Sequence, residues 1–277
     1  MRAPAARNVP ALLQALREEE FTGTVRVSGA PGGTIHLRDG LVGAIETPGA
    51  PTATSALLTT GRIDDEAWLT ACATEPDADR LGGHLVSAGL IGAAELQIVC
   101  TAAVFDGAFA MALSAPGGWE TGEREPALVA AGVEPRSLTE EIARRTGVLG
   151  RGRAGSSVGE LARARPESVA ELGPGAWLSS RLQELLGSVN GRRTPRDLAF
   201  ALGRGLYAVM LDLKRLETLG LIRWEGRTAP GERPSTAPRV TPGPSADPGP
   251  APPGGGPLPK RRPGRSAARD RGERGDR

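Results

Sequence analysis

Seven residues near the carboxy-terminal end of the apolar sequence are of a type that holds nucleic acid: Arg192, Arg193, Arg196, Arg204, Tyr207, Lys214 and Arg215. Guanidinium and ammonium groups anchor phosphates, and a long polar side chain at a helix start can read base edges. Other strings look catalytic and lack the context that catalysis needs. Gly150-Arg151-Gly152-Arg153-Ala154-Gly155 matches a dinucleotide fingerprint, but the residues before it are helical and basic where an apolar strand is required. Gly155-Ser156-Ser157-Val158-Gly159 matches a nucleophile elbow, yet His36 and His84 both lie upstream, which rules out the Ser–acid–His order of those hydrolases. Cys72 and Cys100 have no closely spaced Cys or His partner, so they read as buried, reduced thiols and give no zinc site. His36 shares a strand face with Thr34 and Arg38 and is expected to be exposed. His84, between Leu81 and Leu85 near a helix start, is expected to be half-buried. Asp64-Asp65-Glu66 and Glu140-Glu141 stand at helix starts, where acids favour the macrodipole. We therefore expect no catalytic, cofactor-binding or metal-binding residue, and no enzyme.

Composition divides the chain. It has 277 residues, with 39 glycines and 24 prolines, and 12 of those prolines fall between Arg227 and Arg277. Val240 and Leu258 are the only large aliphatics there, too few to offset the entropy of ordering, so residues 227–277 are expected to be a disordered tail. Of 34 basic and 32 acidic residues the tail holds 11 and 5, which leaves 23 basic and 27 acidic before it. The positive charge thus belongs to the tail, and a uniformly basic nucleic-acid coat is excluded. The longest strongly apolar run, Ile98 to Phe105, is too short to span a bilayer, and the amino terminus lacks a signal-peptide core. A cytoplasmic protein without a membrane partner is the expectation.

The elements that must position these residues follow from periodicity. Asn8 caps an amphipathic helix carrying Leu12, Leu13 and Leu16. Thr24–Ser28, Thr34–Arg38 and Leu41–Glu46 alternate as three strands, with Asp39-Gly40 as a hairpin turn. Helical cover is expected from Ser55–Thr60, Asp64–Thr74, Leu81–Ala88 and Ala93–Phe105, with extended structure returning at Gly107–Leu113 and around Trp119. Ser137-Leu138-Thr139-Glu140 reads as a capping box, and residues 150–159 as a hinge. The fold class is α+β: an antiparallel meander packed with helices, then a mostly helical domain and the tail. The boundaries are 1–125, a connector at 126–157, 158–226 and 227–277.

In the carboxy-terminal block, Leu182, Leu185, Leu186 and Val189 mark one helix, and Thr194-Pro195-Arg196-Asp197 opens a second that stops at Gly203. Leu206–Leu219 makes a third, and Leu221–Trp224 a short strand. The run Asn190-Gly191-Arg192-Arg193-Thr194, followed by Leu216-Glu217-Thr218-Leu219-Gly220-Leu221-Ile222, resembles bacterial winged helix-turn-helix regulators over about fifty residues. That resemblance implies a third helix in the major groove, with the seven residues above as the DNA face. Only Arg204 lies near the helix start where bases are read, so a winged helix used for protein contacts alone stays open.

The amino-terminal block resembles the PATAN-type domains of bacterial regulatory proteins. Phe21-Thr22-Gly23-Thr24-Val25-Arg26-Val27, then Gly33 to Ala44, and Leu81-Gly82-Gly83-His84-Leu85 to Ile91 carry the likeness over about 100 residues. Gly92 stands where that family has a serine or threonine cap, so the helix after it should start weakly. The resemblance implies a protein-interaction domain. Two readings result: a transcriptional regulator that binds DNA and a signalling protein, or an adaptor that never touches DNA. Both admit a homodimer.

Overall fold

The computed structural model describes residues 8–129, 131–151, 157–169 and 178–224. The expected tail and residues 152–156 of the expected hinge lie outside these. Helix α1 (Val9–Glu18) starts where Asn8 Oδ1 accepts from the Ala11 amide at 2.9 Å, and it buries Leu12, Leu13 and Leu16. Strands β1 (Gly23–Ser28), β2 (Gly33–Arg38) and β3 (Leu41–Glu46) form the expected meander, and β4 (Gly118–Gly122) joins the free edge of β1. All neighbours are antiparallel, and the register sets Val25, Ile35 and Ile45 side by side. At the hairpin Asp39 and Gly40 both have positive φ, 52° and 72°, as the turn's twist requires. A Cβ on Gly40 would stand 2.6 Å from Arg17 Cα, so only glycine lets α1 approach.

Four helices follow β3: α2 (Ala53–Thr59), α3 (Asp65–Thr74), α4 (Ala78–Ser87) and α5 (Ala93–Ala112). Gly92 gives α5 no side-chain cap. The extended segment expected at Gly107–Leu113 is instead the end of α5. Phe109 and Ala110 bury fully there, and Gly107 meets β3 so closely that a Cβ would lie 2.8 Å from Ile45 Cγ2. Extended structure does return around Trp119, in β4. Helix α5 is the one helix among the described residues long and apolar enough to cross a membrane, and 44% of its apolar stretch is buried. It supplies Leu96, Val99 and Cys100 to a core with α2–α4, Val104 and Ala108 to the sheet core, and Phe109 and Ala110 to the carboxy-terminal core. Being apolar on every side suits a helix shared by three cores.

Helix α6 (Pro135–Gly150) begins earlier than the expected capping box at Ser137–Glu140. Pro135 presets the first turn, and Glu134, next to it, turns its carboxylate to Arg17 at 3.0 Å. The short α7 (Val158–Leu161) has a capping box between Ser157 and Glu160, so the serine of the elbow string is a helix cap. After it come β5 (Pro166–Ser168), α8 (Ser180–Ser188), α9 (Pro195–Leu202), α10 (Leu206–Thr218) and β6 (Ile222–Trp224). Strand β5, which carries no period in the sequence, pairs antiparallel with β6. All described residues belong to one compact unit, Met1–Ala229.

His36 is not exposed as expected but 94% buried, with 6% of its surface accessible. The chain leaving β4 crosses that face of the sheet: Val42 and Val133 exchange backbone hydrogen bonds, and Asp79 pairs with both Arg38 and Arg124. His84 is half-buried as expected, but in the last turn of α4, which starts at Ala78. Both cysteines are free; Cys100 is buried as expected and its burial pushes the thiol up to about 11, whereas Cys72 is only half-buried.

Candidate functional site

The three carboxy-terminal helices pack on one another around Leu185, Leu198, Leu206, Met210 and Leu213, all fully buried. Thr194 caps α9 and shares a capping box with Asp197, while Gly203 ends the helix at φ 58°. Before α9, the amides of Arg192 and Arg193 donate to Asn190 Oδ1 at 3.0 and 3.3 Å, which leaves both side chains exposed. Arg196 turns inward, and its Nε and Nη2 are buried without a hydrogen-bond partner. Burial, and then the neighbouring charge of Arg163, holds its guanidinium below the usual arginine range.

Several of the seven expected DNA contacts are engaged within the protein. Arg204 bonds the Arg181 carbonyl at 3.0 Å and pairs with Glu184. Arg215 is exposed and lies 3.5 Å from Asp212, which is buried and bound at 2.6 Å by Arg181. Lys214 Nζ donates to the carbonyls of Val148, Leu149 and Arg151 at 3.0, 3.2 and 2.7 Å. A cation there satisfies the end of α6 and its dipole. Tyr207 stands edge-on to Phe109 at 5.6 Å, with the Arg145 guanidinium 4.8 Å above its ring. Arg204, Tyr207 and Lys214 are thus engaged inside the protein, Arg196 is turned inward, and Arg192, Arg193 and Arg215 are the expected contacts whose side chains stay exposed.

The start of α10 holds a buried polar cluster. Gly205 provides no side-chain cap. The orphan amides of Leu206 and Tyr207 donate instead to Asp106 of α5, the latter at 3.2 Å. Arg145 of α6 completes the cluster, with Nη1 3.1 Å from Asp106 Oδ1 and Nε 2.8 Å from Glu141. A Cβ on Gly205 would lie 2.8 Å from Asp106 Oδ2, so glycine is what lets the carboxylate reach the helix. Burial pushes the Asp106 carboxyl above the usual range, against the pull of the Tyr207 amide, Arg145 and the Leu206 amide. Arg144, and then Arg145, hold Glu141 down to about 2.

Asp106, Arg145 and Gly205 belong to no motif of the sequence. A signal existed: Asp106 is the one charged residue between Leu96 and Leu113, and a carboxylate in so apolar a helix needs a buried partner. Gly205, at a helix start with no Ser, Thr, Asp or Asn, marks an end capped from elsewhere.

Chemically the cluster is a clamp. Each Asp106 oxygen accepts from a backbone amide, and Oδ1 also from Arg145. The buried His36 ring has no hydrogen-bond partner, and its Nε2 lies 3.8 Å from Glu46. No cluster of three metal-ligating side chains occurs among the described residues. Compared with known protein families, with curated proteins and with solved structures, the chain finds no match in any of the three.

Proposed function

We propose that the chain is a non-enzymatic, cytoplasmic bacterial regulatory protein, an adaptor whose winged-helix-like block works through protein contacts. The observation that carries this reading is the start of α10. The helix end that a DNA reader would present to bases is buried on Asp106 and Arg145, Tyr207 packs under Arg145 there, and Lys214 further along α10 holds the end of α6. With the Leu206 and Tyr207 amides taken by Asp106, the start of α10 has fewer backbone donors to offer a phosphate. The amino-terminal half, which resembles PATAN-type domains, would take the partner protein.

A second reading is a DNA-binding transcriptional regulator. Arg192, Arg193 and Arg215 favour it by their exposure. The basic tail would add sequence-independent attraction.

Fluorescence anisotropy separates the two. The full chain and a chain ending at Ala229 are titrated into labelled duplexes, one of them the protein's own promoter, across a salt series. The adaptor reading expects no sequence preference from the shorter chain, and equal binding of every duplex through the tail in the longer one. Selective, steeply salt-dependent binding by the shorter chain, lost in Arg192→Ala and Arg193→Ala, would falsify it.

A further inference from the structure

We propose that the amino-terminal half binds a neutral, apolar small molecule in a cavity of about 490 Å³ between α1, the sheet and the facing parts of α5 and α6. Leu13 of α1, Val27, Ile35 and Ile45 of the sheet, Met111 of α5 and Ile142 of α6 supply its walls. Its volume lies within the roughly 300–1,000 Å³ of small-molecule pockets. The space opens to solvent at the rim on α5, and its apolar walls hold water poorly, which favours displacement of that water by an apolar solute.

The chemistry of the lining selects the ligand class. No acidic, basic or histidine side chain is among the lining residues. Three polar side chains reach the cavity, and each already bonds within the protein. Asn8 Oδ1 accepts from the Ala11 amide at 2.9 Å, Ser114 Oγ donates to the Ala30 carbonyl at 2.7 Å, and Thr139 Oγ1 donates to the Pro135 carbonyl at 3.1 Å. An ionised group brought into this space would lose its hydration with no countercharge to replace it. A neutral molecule gains from burial in proportion to the apolar area it hides. The site is independent of the reading of α10, although α5 and α6 also hold that helix through Asp106 and the Val148 and Leu149 carbonyls.

The probe is the neutral fluorophore N-phenyl-1-naphthylamine, titrated into the full chain. Saturable enhancement at one site is expected. Ala112→Trp, which brings an indole in from the exposed rim on α5, and Ile142→Trp, which does so from α6, should each weaken binding by about tenfold or more while keeping the far-UV spectrum and melting midpoint. The anionic 8-anilinonaphthalene-1-sulfonate should bind more weakly by about the same factor. Absence of saturation in the unaltered chain overturns the proposal. So does unchanged affinity in a variant that keeps its fold, and equal affinity for the anion overturns the ligand class. Hydrogen exchange on the unaltered chain needs no variant: bound probe should slow exchange in α1 and the first turns of α6, and an unchanged pattern there removes the site.

Discussion

At Asp106 one carboxylate caps a helix from a different part of the chain, pairs with Arg145 and fixes a tyrosine against an arginine. Truncating one partner of a buried pair leaves the other charge uncompensated. Asp106→Asn keeps the shape but turns one acceptor oxygen into an NH2 that faces a donor, whether the Leu206 amide or the Tyr207 amide and Arg145, so urea unfolding should show a loss of about 2–4 kcal/mol. A loss under about 1 kcal/mol would mean that the clamp does not hold α10. Acid dependence resides next door. Glu141 is held down to about 2 from an ordinary 4.5, so it stabilises the fold above 4.5 and gives that up as pH falls through 4.5 towards about 2. Asp106 has the opposite sign: its raised carboxyl makes ionisation in the fold unfavourable, a cost fully present above its folded value and absent below 3.8. Glu141→Gln should therefore lose less stability than the unaltered chain on acidification, read as the urea midpoint against pH; parallel curves would remove Glu141 from the account. Single residues were the least legible scale. The sequence shows that Tyr207 lies on a helix, but not that Phe109, 98 positions away, stands against its ring.

Helix starts were the most legible elements, because capping is local. Asn8, Asp64 and Thr194 cap as their types and spacing require. Ser137 does not, since Pro135 had already begun the helix. The end of α6 belongs to no local signal at all: its carbonyls are satisfied by Lys214, more than sixty residues on. Lys214→Met should cost about 1–2 kcal/mol and speed amide exchange in the last turn of α6. Normal protection there would show that the carbonyls find water equally well. Strand β5 escaped because three residues beginning with proline have no period to read.

For the molecule as a whole, α5 decides the architecture by serving three cores at once. Phe109→Ala should cost about 3–5 kcal/mol, and cores that share a helix should melt together. Tryptophan fluorescence reports from Trp68, Trp119 and Trp224, one beside each core, and from Trp177 outside the described residues, and should give the same urea midpoint as far-UV circular dichroism. Two separated transitions would restore independent domains joined by a hinge. The sequence by itself determined the antiparallel meander, the three carboxy-terminal helices and the Thr194 cap of α9, since these rest on periods and on bonds between residues a few positions apart. Only the tertiary structure decided that α10 docks on α5 and α6, that His36 is covered, and that an apolar cavity remains between α1 and the sheet. Such features depend on which surfaces meet across a hundred residues, and a pattern of side chains along one element does not carry that information.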